Sequence, residues 1–400
     1  MSSDRFEVAI LGAGIVGCAL AYHLARRASV GPVAVYDPRT PAGGATGRAA
    51  GIVTEQLWNR WDVEVARASK EEYAALAARW DPAAYSVNGF ARWTRDPVAE
   101  PVLGEALERM RGWGVPVERW GTDELRRRVP WGRFDDVRAG IGSTSDGVVT
   151  PSTMTEIYAE AARRLGVDFR LGTPFGSLLR TGGGWEVAVG GTTLRLRQLV
   201  VAAGAWTKSL LQQLGHPVPL APYRTQAAEL RPSPPSEADF PSVHDIDLDV
   251  YVRPESNGRI LAGDGTERVE ADPERFAPGG DERFVTHLAE SFASRFPGWA
   301  DAELVRAWAG VCASTPDRRP LVGPVPGAES LFVVAGFNGF GVMRAAGVAQ
   351  RLAAVLSVGV GPSPELDLLA PVLPSRFVGP VGPFPPRPGF TLEAGDDPRF

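Results

Sequence analysis

The 400-residue chain contains little cysteine, histidine and lysine. Its two cysteines, Cys18 and Cys312, are too far apart in the sequence to suggest a disulfide framework or a pair of metal ligands. The four histidines are scattered, which argues against a histidine-rich metal site. We therefore expect no metal centre. We also expect Cys18, inside the first helical pattern, to be a small core residue.

Long apolar runs and basic stripes are also missing. The apolar stretch from Val8 to Leu24 is interrupted by glycines, and residues 1–7 are mixed in charge. This pattern predicts neither a secretion signal nor a membrane-spanning segment. The formal net charge of −5, without a basic patch, argues against a nucleic-acid partner. We expect a cytoplasmic protein with no membrane or nucleic-acid partner.

Glycine, in contrast, is concentrated at informative places near both ends of the chain. VAILGAGIVG at 8–17 and LFVVAGFNGFG at 331–341 each combine an apolar strand pattern with a glycine cluster that leads into a helical pattern. The first run holds Gly12, Gly14 and Gly17 as GxGxxG. In that motif the first glycine permits a tight turn, the second lets the backbone approach a pyrophosphate, and the third lets the helix pack on the strand.

An acidic residue follows this motif at the spacing typical of dinucleotide sites. Asp37 ends the strand pattern VAVYD, twenty residues after Gly17. Its carboxylate can accept hydrogen bonds from the adenosine ribose hydroxyls and disfavours a ribose phosphate, so NADP is not expected. We predict a dinucleotide site that also includes the neighbouring residues Ile15, Val16, Pro38 and Arg39. The motif alone does not separate FAD from NAD.

Four segments, taken in order, resemble the D-amino acid oxidase superfamily of flavoproteins, which includes glycine oxidase, sarcosine oxidase and the dye-linked proline dehydrogenases. They are VAILGAGIVG with Asp37, the loop GGATGRAAGIV at 43–53, VVAAGAW at 200–206, and the runs WAGVCASTPDRRPLVGPVPG and VVAGFNGFGVMRAAG between 308 and 347. They are spread over roughly residues 6–357. The resemblance implies FAD as the cofactor.

The resemblance also implies an α/β fold, with a Rossmann-like FAD-binding domain and a second α+β substrate domain built on a large antiparallel sheet. We assign residues 1–80, 140–215 and 305–358 to the FAD-binding domain, and residues 81–139 and 216–304 to the substrate domain. Residues 359–400 are rich in proline and glycine. We expect this tail to be extended over the surface or partly mobile.

Further FAD contacts are expected in three later segments. Arg48 in the glycine-rich loop is placed near the pyrophosphate and the flavin edge, and a surface arginine is the alternative. Backbone N–H groups before the last helix are expected at the pyrimidine end of the flavin, which becomes anionic on reduction; a packing turn is the alternative. The full set is Thr46, Gly47, Arg48, Ala49, Ala50, Gly51, Ala203, Gly204, Trp206, Gly310, Gly336, Asn338, Gly339, Phe340, Gly341, Val342 and Met343. Trp206 fits a core residue equally well.

The candidate catalytic residues are Tyr251, Arg253, Cys312 and Arg344. An arginine fork would bind a substrate carboxylate at two points, although both arginines fit solvated or ion-paired side chains equally well. Cys312 falls where other superfamily members place an arginine or tyrosine over the flavin, and it either shapes the pocket or fills buried space. Three residues after the glycine-rich loop are further candidates for the cavity wall, with core packing as the alternative: Gln56, Trp58 and Trp61.

Two departures from the superfamily pattern affect the chemistry. Related sarcosine oxidases carry a lysine that assists oxygen at the position of Met343, so fast oxygen reduction is in doubt and a dehydrogenase is favoured. Those oxidases also attach their flavin through a cysteine located two residues before the position of Cys312. Ala309 through Val311 provide no thiol, so we expect non-covalent FAD.

We therefore predict an FAD-dependent oxidoreductase that oxidises the C–N bond of an amino acid or secondary amine by hydride transfer to flavin N5. Oxygen or another electron acceptor would reoxidise the flavin. Burial lowers the pKa of an amine, because desolvation penalises the cation, so no general base is obligatory and His244 is not singled out. The alternatives are an NAD-dependent dehydrogenase and a flavin-binding subunit without its own activity.

Overall fold

A computed structural model describes residues 5–172, 175–189, 192–236, 240–264, 269–359 and 361–385. The strands in these ranges are β1 Arg5–Leu11, β2 Val33–Asp37, β3 Ile52–Val53, β4 Tyr85–Val87, β5 Phe90–Thr94, β6 Glu118–Arg119, β7 Ala139–Ser143, β8 Gly147–Val149, β9 Asp168–Leu171, β10 Phe175–Thr181, β11 Gly184–Val189, β12 Thr192–Val201, β13 Ala221–Arg231, β14 Ser242–Asp245, β15 Val250–Pro254, β16 Ile260–Asp264, β17 Val269–Glu270, β18 Glu303–Ser314, β19 Leu321–Val325 and β20 Ala328–Ala335. The α-helices are α1 Ile15–Ala25, α2 Arg60–Trp80, α3 Ala99–Gly112, α4 Thr122–Arg128, α5 Pro151–Arg164, α6 Thr207–Gln213, α7 Glu282–Arg295, α8 Gly341–Val358 and α9 Pro364–Asp367. In the part of the chain that the structure describes, none of these helices is long and apolar enough to cross a membrane.

A mainly parallel sheet, called the parallel sheet below, has β1 at its centre. The parallel strands run in the order β20-β12-β1-β2-β9, and antiparallel β11, β10 and β19 extend the sheet. Alternate residues of β1 enter different cores: Val8 and Ile10 pack with the helices, whereas Ala9 and Leu11 pack on the opposite face. Burial on both faces explains why these strands read as continuous apolar runs.

The turn between β1 and α1 is closed by two glycines that allow close backbone approach. Gly12 has φ +120°, and a Cβ atom there would lie 2.4 Å from the carbonyl oxygen of Ala202. A Cβ atom on Gly17 would lie 2.0 Å from the carbonyl oxygen of Gly12. A larger residue at position 12 would therefore push the turn away from the end of β12, and one at position 17 would push α1 away from the end of β1.

A second, mainly antiparallel sheet, called the antiparallel sheet below, has the order β17-β13-β16-β15-β14-β5-β7-β6, with β18 paired to β13. One face packs on α7: Val243, Val252 and Ala262 share a buried core with Phe284 and Phe292. Because side chains alternate along a strand, the residues between these positions point to the other face, which we call the front face. A third, small sheet consists of β3, β8 and β4 in that order.

These observations confirm the predicted fold class, an α/β protein with a Rossmann-like parallel sheet and a large antiparallel sheet. The hairpin predicted at 251–264 is also present, and Asn257 and Gly258 occupy its turn with φ +64° and +70°. The domain boundaries stay a prediction.

The C-terminal tail is more structured than the sequence suggested. In residues 361–385, α9 is followed by short 3-10 turns, and Leu369 and Val372 are buried in the helical core. Trp61 Nε1 donates to the carbonyl oxygen of Leu368 at 2.8 Å, so the segment is attached to α2. Leucine and valine side chains, rather than a periodic pattern, hold it in place. Residues 386–400 lie outside the described ranges.

We expect Gly347→Ala to destabilise the fold, because a Cβ atom there would lie 2.3 Å from the carbonyl oxygen of Val65 where α8 meets α2. Such overpacking costs about 1–3 kcal/mol. Gly112→Ala is the matched control, since that position in α3 has open space and alanine favours helices by about 0.5–1 kcal/mol. Thermal unfolding followed by circular dichroism measures both. An unchanged midpoint for Gly347→Ala would contradict the close helix contact.

Candidate active site

A cavity of about 980 Å³ lies where the carboxyl ends of the parallel strands meet the front face of the antiparallel sheet. Its wall includes the turn after β1, the end of β2, the loop 44–54, the turn after β20 and residues of β13, β15 and β18. Ligands bind at this edge of open α/β sheets, because the loops there are free to form a crevice. The volume is at the upper end of that of small-molecule sites.

Asp37 is fixed at the carboxyl end of β2, in the cavity wall. One carboxylate oxygen accepts a hydrogen bond from the Ala13 amide at 2.7 Å, and the other accepts one from the Arg39 amide at 2.8 Å. Each oxygen has a further lone pair, so the carboxylate can also accept from the hydroxyls of a ribose. Backbone donors therefore orient the carboxylate before a ligand arrives.

Trp206 and Arg39 lie beside Asp37 at the same end of the cavity. The Arg39 guanidinium stands 4.3 Å from the Trp206 ring centroid, in a cation–π contact. Trp206 Nε1 donates to a carboxylate oxygen of Glu274, which also lines the cavity. Glu274 belongs to the segment between β17 and α7, so the antiparallel half of the molecule reaches across to the adenine end predicted for the site.

Arg48 is partly buried and holds the glycine-rich loop together. Its Nη1 donates to the carbonyl oxygens of Gly43 and Gly44 at 3.2 and 3.0 Å, and its own carbonyl oxygen accepts from Trp308 Nε1 at 3.1 Å. A Cβ atom on Gly310 would lie 3.3 Å from the Arg48 side chain. Arg48 therefore lies between this loop and β18, where it lines the cavity.

The second glycine cluster forms the turn between β20 and α8. Asn338 has φ +54°, is 1% exposed, and accepts from the Thr315 amide at 3.1 Å while donating to the carbonyl oxygen of Gly336 at 2.7 Å. Its side chain thus holds the turn in place. α8 begins at Gly341 without a side-chain cap, and Phe340, Gly341 and Val342 line the cavity. The positive end of the α8 dipole is available to an anionic ligand group.

The front face of the antiparallel sheet forms the opposite wall. Strand register places Tyr251 beside His244 on β14 and beside Gly263 on β16, where its ring takes up the space of the missing Cβ atom. Tyr223 pairs with Cys312 across β13 and β18, and its hydroxyl donates to the Cys312 thiol. Tyr251, Tyr223, Cys312 and His244 all line the cavity.

Burial sets the protonation states of these groups. Desolvation raises the pKa of the Cys312 thiol to about 11, although the Tyr223 hydroxyl partly offsets this effect. Burial also raises the pKa values of Tyr223 and Tyr251 well above their usual range. At neutral pH this wall therefore presents a neutral thiol and neutral phenols.

Most of the predicted residues line this cavity. Those in the wall are Gly12, Gly14, Ile15, Val16, Asp37, Pro38, Arg39, Thr46, Arg48, Ala49, Ala50, Gly51, Ala203, Gly204, Trp206, Tyr251, Gly310, Cys312, Gly336, Asn338, Gly339, Phe340, Gly341, Val342 and Met343. Gly17 and Gly47 are not part of that wall; Gly17 is buried, whereas Gly47 is exposed. A Cβ atom on Gly17 would clash with the carbonyl oxygen of Gly12, and one on Gly47 with that of Ala42, so both glycines allow close backbone packing.

The predicted arginine fork is not assembled. Arg253 is on the front face but near the far end of β15, where its guanidinium binds Glu255 and the carbonyl oxygen of Pro254. Arg344 points from α8 to α2 and pairs with Asp62 at 2.9 Å. Both arginines are buried in ion pairs outside the cavity wall, so neither is placed to bind a substrate carboxylate in the cavity.

The three further candidates for the cavity wall, Gln56, Trp58 and Trp61, also lie outside it. Gln56 donates to the carbonyl oxygen of Phe90 at 2.8 Å, and the Trp58 ring lies 4.8 Å below the Arg92 guanidinium. Trp61 is attached to the C-terminal segment. These positions serve packing, the alternative that their composition left open.

Sequence reasoning missed several residues of the front wall, chiefly Tyr223, Thr225, Ala227, His244 and Trp308. They come from strands that carry no glycine motif. Alternation along β13 and β18 was the available signal, but it identifies a wall only after the strands have been paired: Tyr223 with Cys312, and Ala227 with Trp308.

Comparison with known proteins settles the family. The family model described as "FAD dependent oxidoreductase", DAO, matches residues 7–355. The chain belongs to this family. The match confirms both the predicted resemblance and FAD as the cofactor, because the family description names it.

Curated relatives include dimethylglycine dehydrogenase of Rattus norvegicus, 25% identical over 397 residues that cover 94% of this chain but 45% of that protein. This chain thus spans about half the length of the first curated relatives it matches. Glycine oxidase of Geobacillus kaustophilus is 25% identical over 390 residues, which cover 95% of this chain and 99% of that protein.

Solved structures share the fold. L-proline dehydrogenase from P. horikoshii superposes with a TM-score of 0.85 at 23% identity, covering 94% of this chain and 98% of the other. Glycine oxidase from Geobacillus kaustophilus gives a TM-score of 0.82 at 24% identity, with 94% and 100% covered. At these identities the likeness establishes the fold.

The cavity fits FAD on its own chemistry. Asp37 suits the adenosine ribose, and the start of α1 after Gly14 suits a pyrophosphate, because a helix N-terminus attracts anions. Because Gly14 has no side chain, a pyrophosphate can approach the backbone there. The nearest protein atom to a Cβ at this position would be Thr46 Oγ1, at 3.3 Å. The start of α8 suits the pyrimidine end of the flavin.

We expect Gly14→Ala and Gly17→Ala to fail in different ways. The methyl group at position 14 requires only a small shift of Thr46 Oγ1, 3.3 Å away, but occupies the path of the pyrophosphate. FAD affinity should therefore fall at least tenfold, while the unfolding midpoint of the flavin-free protein should fall less than in Gly17→Ala. The methyl group at position 17 would clash with the carbonyl oxygen of Gly12 and should lower that midpoint. Fluorescence titration with FAD and thermal unfolding measure the two effects. Equal loss of stability in both variants would contradict this division.

We expect FAD to protect Cys312 from alkylation. Because its thiol has a pKa of about 11, iodoacetamide should react slowly at pH 7–8 and about tenfold faster per pH unit from 8 to 10. Added FAD should slow the reaction, since Cys312 lines the cavity. Peptide mass spectrometry distinguishes it from Cys18, which is buried and should stay unlabelled. Equal labelling with and without FAD would contradict the placement.

Proposed function

We propose that the protein oxidises the C–N bond of an amino acid or a secondary amine, with FAD held non-covalently in the cavity. The observation that carries this proposal is the set of neutral side chains Tyr223, Tyr251 and Cys312, which line the same cavity as the start of α8. A substrate amine that packs against these three side chains loses water and gains no counter-charge from them. Such surroundings favour an uncharged amine over its ammonium form.

When bound, FAD supplies the redox step by taking a hydride at N5. The chain's own residues supply the rest. Asp37 and the turn after β1 hold the adenosine and pyrophosphate, and the α8 N-terminus stabilises negative charge that develops on the pyrimidine end. The Tyr251 ring, which lies across Gly263, limits the position of the substrate and excludes water from that side.

The relatives support an amine or amino-acid substrate in their names: dimethylglycine dehydrogenase, 4-methylaminobutanoate oxidase and glycine oxidase. A solved neighbour is titled iminodiacetate oxidase. These names agree with the class that we propose for this chain, an amino acid or a secondary amine.

We also propose that an acceptor other than oxygen reoxidises the flavin. We further propose that the protein acts in the cytoplasm and has no nucleic-acid partner. Met343 lies in the cavity wall in the first turn of α8 and carries no charge. A cationic side chain there would stabilise the superoxide-like charge that develops when oxygen is reduced, and methionine does not supply one.

Anaerobic mixing of the FAD-loaded protein with candidate amines tests the function. We expect at least one of glycine, N-methylglycine, N,N-dimethylglycine, L-proline, iminodiacetate and 4-methylaminobutanoate to bleach the flavin absorbance near 450 nm. Peroxide formation in air, compared with dye reduction, then identifies the acceptor. A flavin that no amine in this and a wider amine panel reduces would overturn the proposal and favour a flavin-binding subunit without its own activity.

A further inference from the structure

We infer that the amine oxidised by this protein carries a second cationic group and no carboxylate, and that Asp249 and Asp264 bind this second cation; this inference rests on the proposed function. It narrows that function to diamines and longer polyamines. The observation behind it is the distribution of charge in the cavity wall. Both arginines of the described wall lie on the cofactor side, whereas these two carboxylates lie on the antiparallel sheet, where we place the substrate.

The two arginines of the described cavity wall are engaged on the cofactor side. Arg39 stands over the Trp206 ring, at the end that we assign to the adenosine. Arg48 donates to the carbonyl oxygens of Gly43 and Gly44 and so holds the glycine-rich loop. No lysine belongs to the part of the wall that the structure describes.

Two further arginines lie on strands of the antiparallel sheet but not in the cavity wall. Arg92 on β5 is stacked 4.8 Å from the Trp58 ring, and Arg253 on β15 binds Glu255. A substrate carboxylate on the front face would therefore meet no arginine or lysine among the described residues of the wall. Recognition of an amino acid through its carboxylate is thus poorly supported on this side of the cavity.

Asp249 is held at the cavity by the turn that carries it. It is a non-glycine residue with φ +54°, at the end of the segment 246–249 between β14 and β15. Strained backbone of this kind persists where the surroundings enforce it, often at functional sites. His244 Nε2 lies 3.3 Å from Asp249 Oδ1. Because an ionised carboxylate only accepts hydrogen bonds, we place the ring proton on Nε2, so that His244 donates to Asp249 and orients it.

Asp264 lies at the same edge of the antiparallel sheet. It is the last residue of β16 and the register partner of Val250, the residue directly after Asp249. It also lines the cavity. Burial, and to a smaller extent the charge of Asp264, raise the pKa of the Tyr251 phenol, so Asp264 is close to the neutral part of the wall. The two carboxylates therefore lie together beside Tyr251, in a cavity that its cofactor side already identifies as a binding site.

Strand order sets the distance between these carboxylates and the turn before α8. That turn meets β13, since a Cβ atom on Gly339 would lie 3.4 Å from the Tyr223 hydroxyl. The strands β16 and β15 are one and two positions away from β13. Because neighbouring strands are about 4.8 Å apart, Asp264 and Asp249 belong to strands about 5–10 Å further along the front face. About three or four methylene groups, with C–C bonds of about 1.5 Å, span a gap of this size.

This arrangement treats the two nitrogens of a diamine differently. A distal ammonium group beside Asp249 and Asp264 is stabilised by an attraction that is weakly screened inside a cavity. A carboxylate at the same place would be repelled and would lose its hydration. The reacting nitrogen instead packs against the neutral side chains of Tyr223 and Cys312, which favour its uncharged form. One cavity thus holds one nitrogen charged, for binding, and the other uncharged, for oxidation.

Three amines that differ only at one end test this preference. N-methyl-1,3-diaminopropane, N-methylbutylamine and 4-methylaminobutanoate present an ammonium group, a methyl group and a carboxylate, respectively, on the same methylamino-propyl chain. The measurement is the second-order rate constant of anaerobic flavin reduction. We expect the diamine to react about 10- to 100-fold faster than the neutral amine, the range for a hydrogen bond to a charged group. The carboxylate should react slowest.

Variants at the two positions show whether the carboxylates cause this preference. Asp249→Asn and Asp264→Asn keep the size of the side chain and remove its charge, and asparagine tolerates φ near +54°. In each variant the ratio of the diamine rate to the neutral-amine rate should fall about tenfold, the loss of one charged hydrogen bond. Asp301→Asn is the matched control, because it removes the same charge from an exposed position outside the cavity wall.

A second readout does not depend on turnover. FAD-loaded protein that has been reduced with dithionite cannot accept a further hydride, so equilibrium dialysis measures binding of N-methyl-1,3-diaminopropane alone. We expect its dissociation constant to rise about tenfold in Asp249→Asn and in Asp264→Asn, and to stay at the wild-type value in Asp301→Asn.

The outcomes separate the two proposals. If no amine reduces the wild-type flavin although the reduced protein binds the diamine through the two carboxylates, the proposed function fails and the binding site stands. If the flavin is reduced but 4-methylaminobutanoate or N-methylbutylamine reacts as fast as the diamine, the inference is overturned. Wild-type ratios in both variants, or a reduced protein that does not bind the diamine, overturn it as well.

Discussion

Parallel pairing of β12 with both β1 and β20 is the constraint on which the rest of the structure depends. Leu11 aligns with Val201, and Val201 aligns with Val333. This register places the turns after β1 and β20 at the same edge of the sheet, although they are more than 300 residues apart in sequence. The helices α1 and α8 therefore begin beside one cavity, and a single dinucleotide can meet both N-termini.

The front face of the antiparallel sheet forms a second wall of the cavity, because side chains alternate between the two faces of a sheet. Its strands alternate between an apolar core on α7 and the front face, so Val243 and Val252 are core residues whereas His244 and Tyr251 face the cavity. A shift of one residue in either strand would exchange these roles. Burial of the valines thus fixes the position of the residues that meet the substrate.

The cofactor half of the site could be predicted well because it depends on local backbone geometry. Gly12 and Gly14 with Asp37 follow a spacing that one strand–helix–strand unit enforces, and the structure places all three in the cavity wall. The substrate half depends on which strands pair and where long side chains end. Arg253 and Arg344 were plausible ligands by type, but nearby carboxylates, Glu255 and Asp62, bind them.

His244 is a cavity residue that the sequence did not single out. Its surroundings depend on the turn after β14, which places Asp249 beside it, and on the strand register that pairs it with Tyr251. Neither feature leaves a pattern in the sequence. Cysteine and tryptophan positions were likewise ambiguous: Cys312 and Trp206 line the cavity, whereas Trp58 and Trp61 pack elsewhere.

The contact between Trp206 and Glu274 places both halves of the molecule beside the cofactor cavity. Glu274 lies on a segment that Arg224 of β13 fastens by donating to the carbonyl oxygen of Ala277 at 3.2 Å and to Asp281 at 2.7 Å. A dinucleotide bound next to this contact has the parallel sheet on one side and the segment between β17 and α7 on the other. Because a ligand that binds the folded state stabilises it, bound cofactor also opposes any opening of this segment away from the parallel sheet.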